Sequence, residues 1–209
     1  MKLLFLDIDG VLNGHKQFAN GYTTIEPHGR EHLNIILEKC PEVQLVISSA
    51  WRYHVHNGSM TLRGLEEMLL THGLNVRGRI HGITDPDPVE FQEGHWTDKS
   101  REWWHEQGIK WRRQQIWNYL SRIEDVLKVV IVDDIPLEID DLVQVTSASG
   151  MNELNAIEII ERFGVEIPGI GKCMECALRL PLRDYNGHGH LVCRICYERL
   201  SEAFDEGYR

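Results

Sequence analysis

The pattern of apolar and polar positions alternates along most of the chain between two types of segment. Short uninterrupted apolar runs are typical of buried strands, and segments whose apolar positions recur every three or four residues are typical of amphipathic helices. Strands that alternate with helices favour a parallel sheet. The predicted strands cover residues 3–6, 43–47, 126–132 and 142–145, and the predicted helices cover residues 30–40, 62–72, 98–122 and 152–163.

The segments that lack both patterns indicate the domain boundaries. Residues 74–97 contain several glycines and prolines and are predicted as an extended loop, which begins a small, partly helical insert at about 74–110. A second stretch with glycine and proline, at 168–171, is predicted to link the domain to a cysteine-rich tail. We therefore expect an α/β domain over residues 1–164 and a small module over residues 165–209.

Composition limits the class of protein. The chain has 209 residues and is 42% hydrophobic, which suffices for one ordinary domain and an accessory module. Its formal net charge of −10 argues against nucleic-acid binding over the whole surface, although not against a local basic groove. Neither a signal-peptide pattern nor a run of about 20 apolar residues is present, so we expect a cytoplasmic protein with no membrane partner. The sequence alone leaves the oligomeric state open.

Three predicted strands end in side chains suited to phosphoryl transfer. Because the carboxyl ends of parallel strands meet at one edge of the sheet, we expect these side chains to lie close together. Carboxylates gathered there repel one another unless a cation such as Mg²⁺ neutralises them, and a nearby hydroxyl can hold a phosphate oxygen. For the first pair alone, a strand followed by an Asp-Gly turn is the alternative interpretation. The pairs, in chain order, are Asp7 with Asp9, Ser48 with Ser49, and Asp133 with Asp134.

Together these motifs resemble the haloacid dehalogenase (HAD) superfamily over about residues 1–163. The resemblance implies a Rossmann-like parallel sheet with flanking helices. It is strongest to the small HAD domains of bacterial and phage RNA-repair proteins, and the third motif is also similar to that of polynucleotide 3′-phosphatases and CTD-type phosphatases. The motifs read Leu6-Asp-Ile-Asp-Gly-Val-Leu-Asn13, Ser48-Ser-Ala-Trp-Arg52 and Val130-Ile-Val-Asp-Asp134.

The resemblance also implies a role for each motif residue. Asp7 would be the nucleophile that forms an aspartyl-phosphate, and Asp9 would be the general acid and then the general base. Ser48, with Ser49 as the alternative, would bind the phosphoryl group. The implied Mg²⁺ ligands are Asp7, the backbone carbonyl of Asp9, and Asp133 or Asp134.

Members of this superfamily also use a basic residue, often Lys, before the third strand. Arg112 is favoured here, because residues 112–120 resemble the corresponding segment of close relatives. Arg52 is a basic candidate of another kind, which could bind a second phosphate or the substrate backbone, or could form a surface ion pair. The basic side chains considered before the third strand are Lys99, Lys110, Arg112 and Arg113.

Residues 98–122 are dense in aromatic and basic side chains. Between residues 98 and 113, five basic residues stand against three acidic ones, the reverse of the overall balance. The tryptophans could anchor a small core or could form stacking platforms for single-stranded nucleic acid. The core interpretation concerns Trp103, Trp104, Trp111 and Trp117, and the stacking interpretation concerns Trp96, Trp104 and Trp111 with Lys99, Arg101, Lys110 and Arg112.

The tail contains two C-x₂-C pairs separated by sixteen residues. Four thiolates at this spacing predict a closed, structural Zn²⁺ site, in a module that resembles a zinc ribbon or treble clef. Because about 40 residues build little hydrophobic core, the metal would supply much of the folding free energy. The four predicted ligands are Cys173, Cys176, Cys193 and Cys196.

Taken together, the motifs predict a Mg²⁺-dependent phosphatase that hydrolyses a phosphomonoester. The expected substrate is a phosphorylated nucleotide or oligonucleotide, as for a polynucleotide phosphatase. Two alternatives remain open at this point. One is a small-metabolite phosphatase of the same fold, and the other is a non-catalytic adaptor that binds nucleic acid or protein through the zinc module.

Overall fold

The computed structural model describes six stretches of the chain, which divide into two compact units, Met1–Val165 and Glu166–Arg209. The first unit contains most of the described residues and all of the motif residues that end predicted strands. The described stretches are residues 1–13, 24–86, 101–167, 170–172, 179–184 and 191–193.

Within its described residues, the first unit contains one five-stranded sheet in the order β3-β2-β1-β4-β5, and every neighbouring pair is parallel. The central position of β1 and the reversal of strand order beside it are features of a Rossmann-like fold. The α/β fold expected from the apolar pattern is therefore confirmed. The strands are β1 (Lys2–Leu6), β2 (Val43–Ile47), β3 (Ile80–Ile83), β4 (Lys128–Asp133) and β5 (Leu142–Gln144).

Helices connect the strands and lie against the sheet. Helix α1 begins at Pro27, before the predicted start at residue 30, because proline suits the first turn of a helix, where no N–H is needed. Of the helices in the described stretches, none is both long enough and apolar enough to cross a membrane. The helices are α1 (Pro27–Lys39), α2 (Tyr53–His56), α3 (Leu62–Thr71), α4 (Arg101–Leu120) and α5 (Glu153–Arg162), with a 3₁₀ turn at Ala50–Arg52.

Strand β3 corrects the loop predicted for residues 74–97. Its sequence, Ile-His-Gly-Ile, is short and interrupted by glycine, so the apolar pattern gave no strand signal. The segment pairs parallel with β2 and forms that edge of the sheet. Gly82 is needed at this edge, since a Cβ there would lie 3.2 Å from the Tyr119 ring of α4.

Helix α4 covers one face of the sheet. Ile116 packs in a buried cluster with Phe5 of β1, Val46 of β2 and Ile131 of β4, all at most 1% exposed. Burial of such side chains contributes about 1.5–3 kcal/mol each relative to full exposure. Because side chains alternate along a strand, residues two positions after these strand residues also lie on the α4 face.

The strand register brings the motif residues to the same level. Leu6 pairs with Ile47 on one side and with Val132 on the other. The residues that follow these three are Asp7, Ser48 and Asp133. They occupy one row across the carboxyl edge of the sheet, at the point where the strand order reverses, which is where open α/β sheets place their ligands.

Beyond residues 166 and 167, the second unit is described only by the backbone of three strands. Strand β7 (Arg179–Asp184) pairs antiparallel with both β6 (Ile170–Lys172) and β8 (Leu191–Cys193). Strand β6 ends one residue before the first cysteine pair, and β8 ends at the first cysteine of the second pair.

Candidate active site

Three carboxylates converge at the ends of β1 and β4. Asp7, Asp133 and Asp134 each offer an oxygen, and the three oxygens lie within 4.8 Å of one another. Asp7 is 4% exposed and Asp133 is fully buried. The parallel, in-register pairing of β1 with β4 thus brings their terminal carboxylates into an all-oxygen cluster of the type that suits Mg²⁺.

Arg112 of α4 faces this cluster. Its Nη1 lies 2.9 Å from Asp133 Oδ2 and 3.5 Å from Asp7 Oδ2. The structure therefore brings the basic residue favoured by sequence resemblance next to the first and third motifs. One guanidinium against three carboxylates leaves a negative balance that a divalent cation can neutralise.

Backbone amides hold two of the carboxylates in place. Ile8 N donates to Asp7 Oδ1 at 2.8 Å, and Ile135 N donates to Asp133 Oδ1 at 2.9 Å. Burial raises the pKa of Asp133 well above its ordinary value, Arg112 opposes that rise, and Asp7 adds to it. The cost of ionising Asp133 without a cation is a further physical reason why these donors fit a metal site.

Asp9 lies in the loop that follows β1 and accepts two side-chain hydrogen bonds. Asn13 Nδ2 donates to Asp9 Oδ1 at 3.0 Å, and Trp51 Nε1 donates to the same oxygen at 3.2 Å. Burial raises the pKa of Asp9, against the lowering effect of these two hydrogen bonds, and the Asp7 charge adds to the rise. A carboxyl group with a raised pKa is suited to donate a proton and then to accept one.

Gly10 allows the loop to pass close to Asp134. Its φ of +82° is in the left-handed region, and a Cβ at this position would lie 2.6 Å from Cγ of Asp134. Gly10 N also donates to Asn13 Oδ1 at 2.9 Å, which closes the loop. Both the backbone conformation and the contact exclude a side chain here.

The second motif contributes Ser48 and Ser49, which have different surroundings. Ser48 is fully buried, follows β2 in the row beside Asp7, and its Oγ has no hydrogen-bond partner. Ser49 Oγ instead accepts from Trp51 N at 3.5 Å, at the start of the 3₁₀ turn. Ser48 shares the row and the sheet face of Asp7, while Ser49 caps the turn.

Arg52 is in the interior rather than on the surface. It is 1% exposed, and its guanidinium donates to the carbonyls of Ser48 at 2.7 Å and Asp85 at 3.1 Å and to Gln115 Oε1 at 3.2 Å. The surface ion pair considered for Arg52 is therefore wrong. Arg52 thus joins three parts of the first unit, namely the end of β2, the segment that follows β3, and helix α4. Because these donors bind protein acceptors, we assign Arg52 no phosphate contact.

Sequence reasoning gave no role to Asn13, Trp51, Gly10 or Gln115. Asn13 and Trp51 stand inside the quoted motifs, so their positions were a usable signal. Gln115 accepts a hydrogen bond from Arg52, which lies 63 positions earlier in the chain, and local patterns do not report such contacts.

The exposure of a tryptophan on the outer face of α4 contradicts the core interpretation. Trp117 is 58% exposed, so the core interpretation is wrong for this tryptophan. It lines an open cavity together with Lys110, Arg113 and Gln114. Trp111 packs edge-to-face on Trp103, with ring centroids 6.4 Å apart. Trp96, Lys99 and the side chains of Arg101 and Trp104 lie outside the described residues.

The predicted zinc ligands are also beyond the described side chains. Cys173, Cys176 and Cys196 lie outside the described residues, and only the backbone of Cys193 is described, at the end of β8. The zinc site therefore stays a prediction.

One of three comparisons with known proteins finds a match. A family model described as the HAD domain in Swiss Army Knife RNA repair proteins matches residues 3–156. No curated protein and no solved structure matches the chain. The matched segment runs from β1 into α5 and includes each motif that contributes to the carboxylate cluster. The chain belongs to the family of HAD domains found in Swiss Army Knife RNA repair proteins.

Proposed function

We propose that this protein is a Mg²⁺-dependent phosphatase that removes a phosphate monoester from a nucleotide or nucleic-acid end. The convergence of Asp7, Asp133 and Asp134 within 4.8 Å, with Arg112 beside them, is the observation that carries the proposal. Membership of the HAD domain family supports the reaction class.

In the proposed reaction, an oxygen of Asp7 attacks phosphorus and the bond from phosphorus to the ester oxygen breaks. Asp9 gives its proton to the leaving alcohol, which leaves an aspartyl-phosphate on Asp7. Asp9 then removes a proton from water, and the water oxygen attacks phosphorus as the bond from phosphorus to the Asp7 oxygen breaks. Inorganic phosphate leaves, and the Asp7 carboxylate and the protonated Asp9 are restored.

The carboxylates of Asp7, Asp133 and Asp134 would hold the Mg²⁺ ion, together with the backbone carbonyl of Asp9 that the family resemblance implies. When bound, Mg²⁺ neutralises charge on the carboxylates and on the phosphoryl oxygens. Arg112 orients Asp7 through its contacts with both Asp7 and Asp133. The Ser48 hydroxyl donates to a phosphoryl oxygen.

The outer face of α4 supports a nucleic-acid end as the substrate. Lys110, Arg113, Gln114 and Trp117 are spaced i, i+3, i+4 and i+7, so they form one stripe on the helix, which we call the α4 stripe. Trp117 follows the site residue Arg112 by five positions, or about 7.5 Å along the helix axis. An exposed indole next to cationic side chains, on the side of α4 away from Arg112, suits a stacked base that lies some nucleotides from the reacting phosphate.

The function is tested by phosphate release from a panel of p-nitrophenyl phosphate, mononucleotides, and oligonucleotides with a 3′- or a 5′-phosphate. We expect turnover that requires Mg²⁺, stops with EDTA and falls at least about 10³-fold in Asp7→Asn, because the amide is a poor nucleophile. Oligonucleotides should be turned over faster than mononucleotides. Activity that persists in EDTA or in Asp7→Asn would contradict the mechanism, and equal rates on both substrate classes would contradict the nucleic-acid end.

For the second unit we keep a structural Zn²⁺ site as part of the proposal, on the strength of the C-x₂-C spacing alone. Metal analysis of the purified full chain should give one Zn²⁺ per chain. Cys193→Ser should lower that content and increase proteolysis within residues 166–209, while Cys40→Ser in the first unit serves as the control. Wild-type protein without zinc would remove this part of the proposal.

A further inference from the structure

Two fully buried hydroxyls near the nucleophile have no hydrogen-bond partner. Among the buried side-chain oxygens and nitrogens of the described residues, Ser48 Oγ and Thr84 Oγ1 are the ones left unpaired. A buried hydroxyl without a partner destabilises a fold, and nearly all such groups are paired in native proteins. Ser48 is explained by its proposed phosphate contact. Thr84 has no such explanation yet.

Thr84 belongs to the same row as the motif residues. Its amide donates to Ile47 O at 3.1 Å, as the Ser48 amide donates to Leu6 O at 3.0 Å and the Asp7 amide to Val132 O at 3.0 Å. The sheet ladder therefore continues one residue beyond the strands. Adjacent members of a row lie about 4.8 Å apart, so Thr84, Ser48 and Asp7 are consecutive across the sheet edge.

The side chains of this row project on the α4 face. Gly82, two residues before Thr84, faces the Tyr119 ring of α4, and Val46, two residues before Ser48, packs against Ile116. Because side chains alternate along a strand, Thr84 and Ser48 lie on the face that also receives Asp7.

The backbone of both residues is held by other side chains. His56 Nε2 lies 2.8 Å from Thr84 O, and Arg52 Nη1 donates to Ser48 O at 2.7 Å. These contacts fix the two carbonyls and leave the hydroxyls for another partner. Both side chains are closed to bulk solvent, so the partner is either an enclosed water or a substrate oxygen that enters when the residues over the two hydroxyls move aside.

We infer that Thr84 is a second phosphate-binding hydroxyl, which donates to a phosphoryl oxygen beside the one held by Ser48. Hydroxyls on neighbouring strands, about 5 Å apart, can reach two different oxygens of one phosphate group. This inference rests on the proposed function, since it assigns Thr84 to the same phosphate site. It places a substrate contact directly after β3, the strand that the sequence pattern missed.

The test compares wild type, Thr84→Val, Thr84→Ser and Ser48→Ala with inorganic phosphate as the probe, in the presence of MgCl₂. Valine keeps the shape of threonine and removes the unpaired hydroxyl, so Thr84→Val without phosphate should raise Tm by about 2–4 °C. The increase in Tm that phosphate causes should nevertheless be smaller in Thr84→Val. Where turnover is measured, the inhibition constant for phosphate should rise about tenfold, and Thr84→Ser should restore it.

The outcomes separate the inference from the function on which it rests. A wild-type Tm that does not respond to phosphate and MgCl₂, with no turnover of the substrate panel, overturns the proposed function and this inference together. A wild-type response that Ser48→Ala reduces and Thr84→Val leaves unchanged overturns the inference alone, and assigns the Thr84 hydroxyl to an enclosed water. A Thr84→Val protein that is more stable and yet binds phosphate more weakly supports the inference. A threonine with a purely structural role would change the stability without weakening phosphate binding.

Discussion

The two faces of helix α4 show how one element serves two different purposes. The inner face presents Arg112, Gln115 and Ile116 to the sheet, and Gln115 and Ile116 are at most 4% exposed. The outer face presents the α4 stripe, where Trp117 is 58% exposed. Polar groups on the inner face are removed from water, so each contact there depends on exact partners. Groups on the outer face keep their hydration and lose little when a partner is absent.

This difference predicts different responses to mutation. Inner-face changes should affect the chemical step on every substrate, because the carboxylates and Arg112 act on the phosphate itself. Outer-face changes should affect only substrates long enough to reach the stripe, and they should depend on salt. Each of the following experiments tests whether the two faces behave in this way.

The largest effect is expected from Arg112→Ala. It removes the cation that contacts Asp7 and Asp133, so kcat on p-nitrophenyl phosphate should fall about 10²–10³-fold. Arg112→Lys should recover part of this loss, because lysine keeps the charge but not the planar donor group. Arg113→Ala is the matched control, since its guanidinium reaches Glu138 on the surface. Equal losses in the two alanine variants would contradict the distinction between the faces.

Gly10→Ala should have the next largest effect. A methyl group would displace Asp134 from the carboxylate cluster, so we expect a 10- to 100-fold rise, roughly, in the Mg²⁺ concentration needed for half-maximal activity. Gly58→Ala provides the control, because Gly58 also has a positive φ, of +74°, and a Cβ added there would have no atom within 4 Å. If both variants change the Mg²⁺ requirement equally, backbone strain and not the Asp134 contact is responsible.

Trp117→Ala should weaken binding of oligonucleotides alone. Loss of one stacked base corresponds to about 1–3 kcal/mol, so KM for a phosphorylated oligonucleotide should rise roughly tenfold while kcat and mononucleotide kinetics stay unchanged. Trp117→Phe should retain part of the stacking. Leu154→Ala removes an exposed apolar side chain from α5 and is expected to change nothing. A Trp117→Ala effect that is equal on mononucleotides would remove the stripe from the substrate site.

The smallest effect is expected from the basic members of the stripe. Lys110→Ala should reduce oligonucleotide affinity only about threefold at moderate salt, because an exposed charge is strongly screened. Its signature is the salt dependence: the slope of log K against log salt should fall by about 0.7 for one lost phosphate contact with a single strand. An unchanged slope, measured by fluorescence anisotropy with catalytically inactive Asp7→Asn protein, would show that Lys110 does not contact phosphate.

Most of the motif residues at the sheet edge, opposite the inner face of α4, were predictable because their signals are local. A buried apolar run followed by a polar pair indicates a strand end, and parallel topology brings such ends together, so the sequence predicts that Asp7, Ser48 and Asp133 meet at one edge. Arg112 was found through family resemblance to its segment and not from periodicity. The contact of Trp51 with Asp9 and the interior position of Arg52 join distant segments, so no local pattern contains them.

The alternation of strands and helices, and with it the edge at which the motif carboxylates meet, follows from the amino-acid sequence. These features depend on the polarity and spacing of neighbouring residues. Three features became visible in the folded protein alone. Strand β3 completes the sheet, Thr84 extends the row of Ser48 and Asp7, and Trp117 lies on the exposed side of α4. The physical reason is that strand pairing at a sheet edge and helix rotation against a sheet are set by packing among residues far apart in the chain.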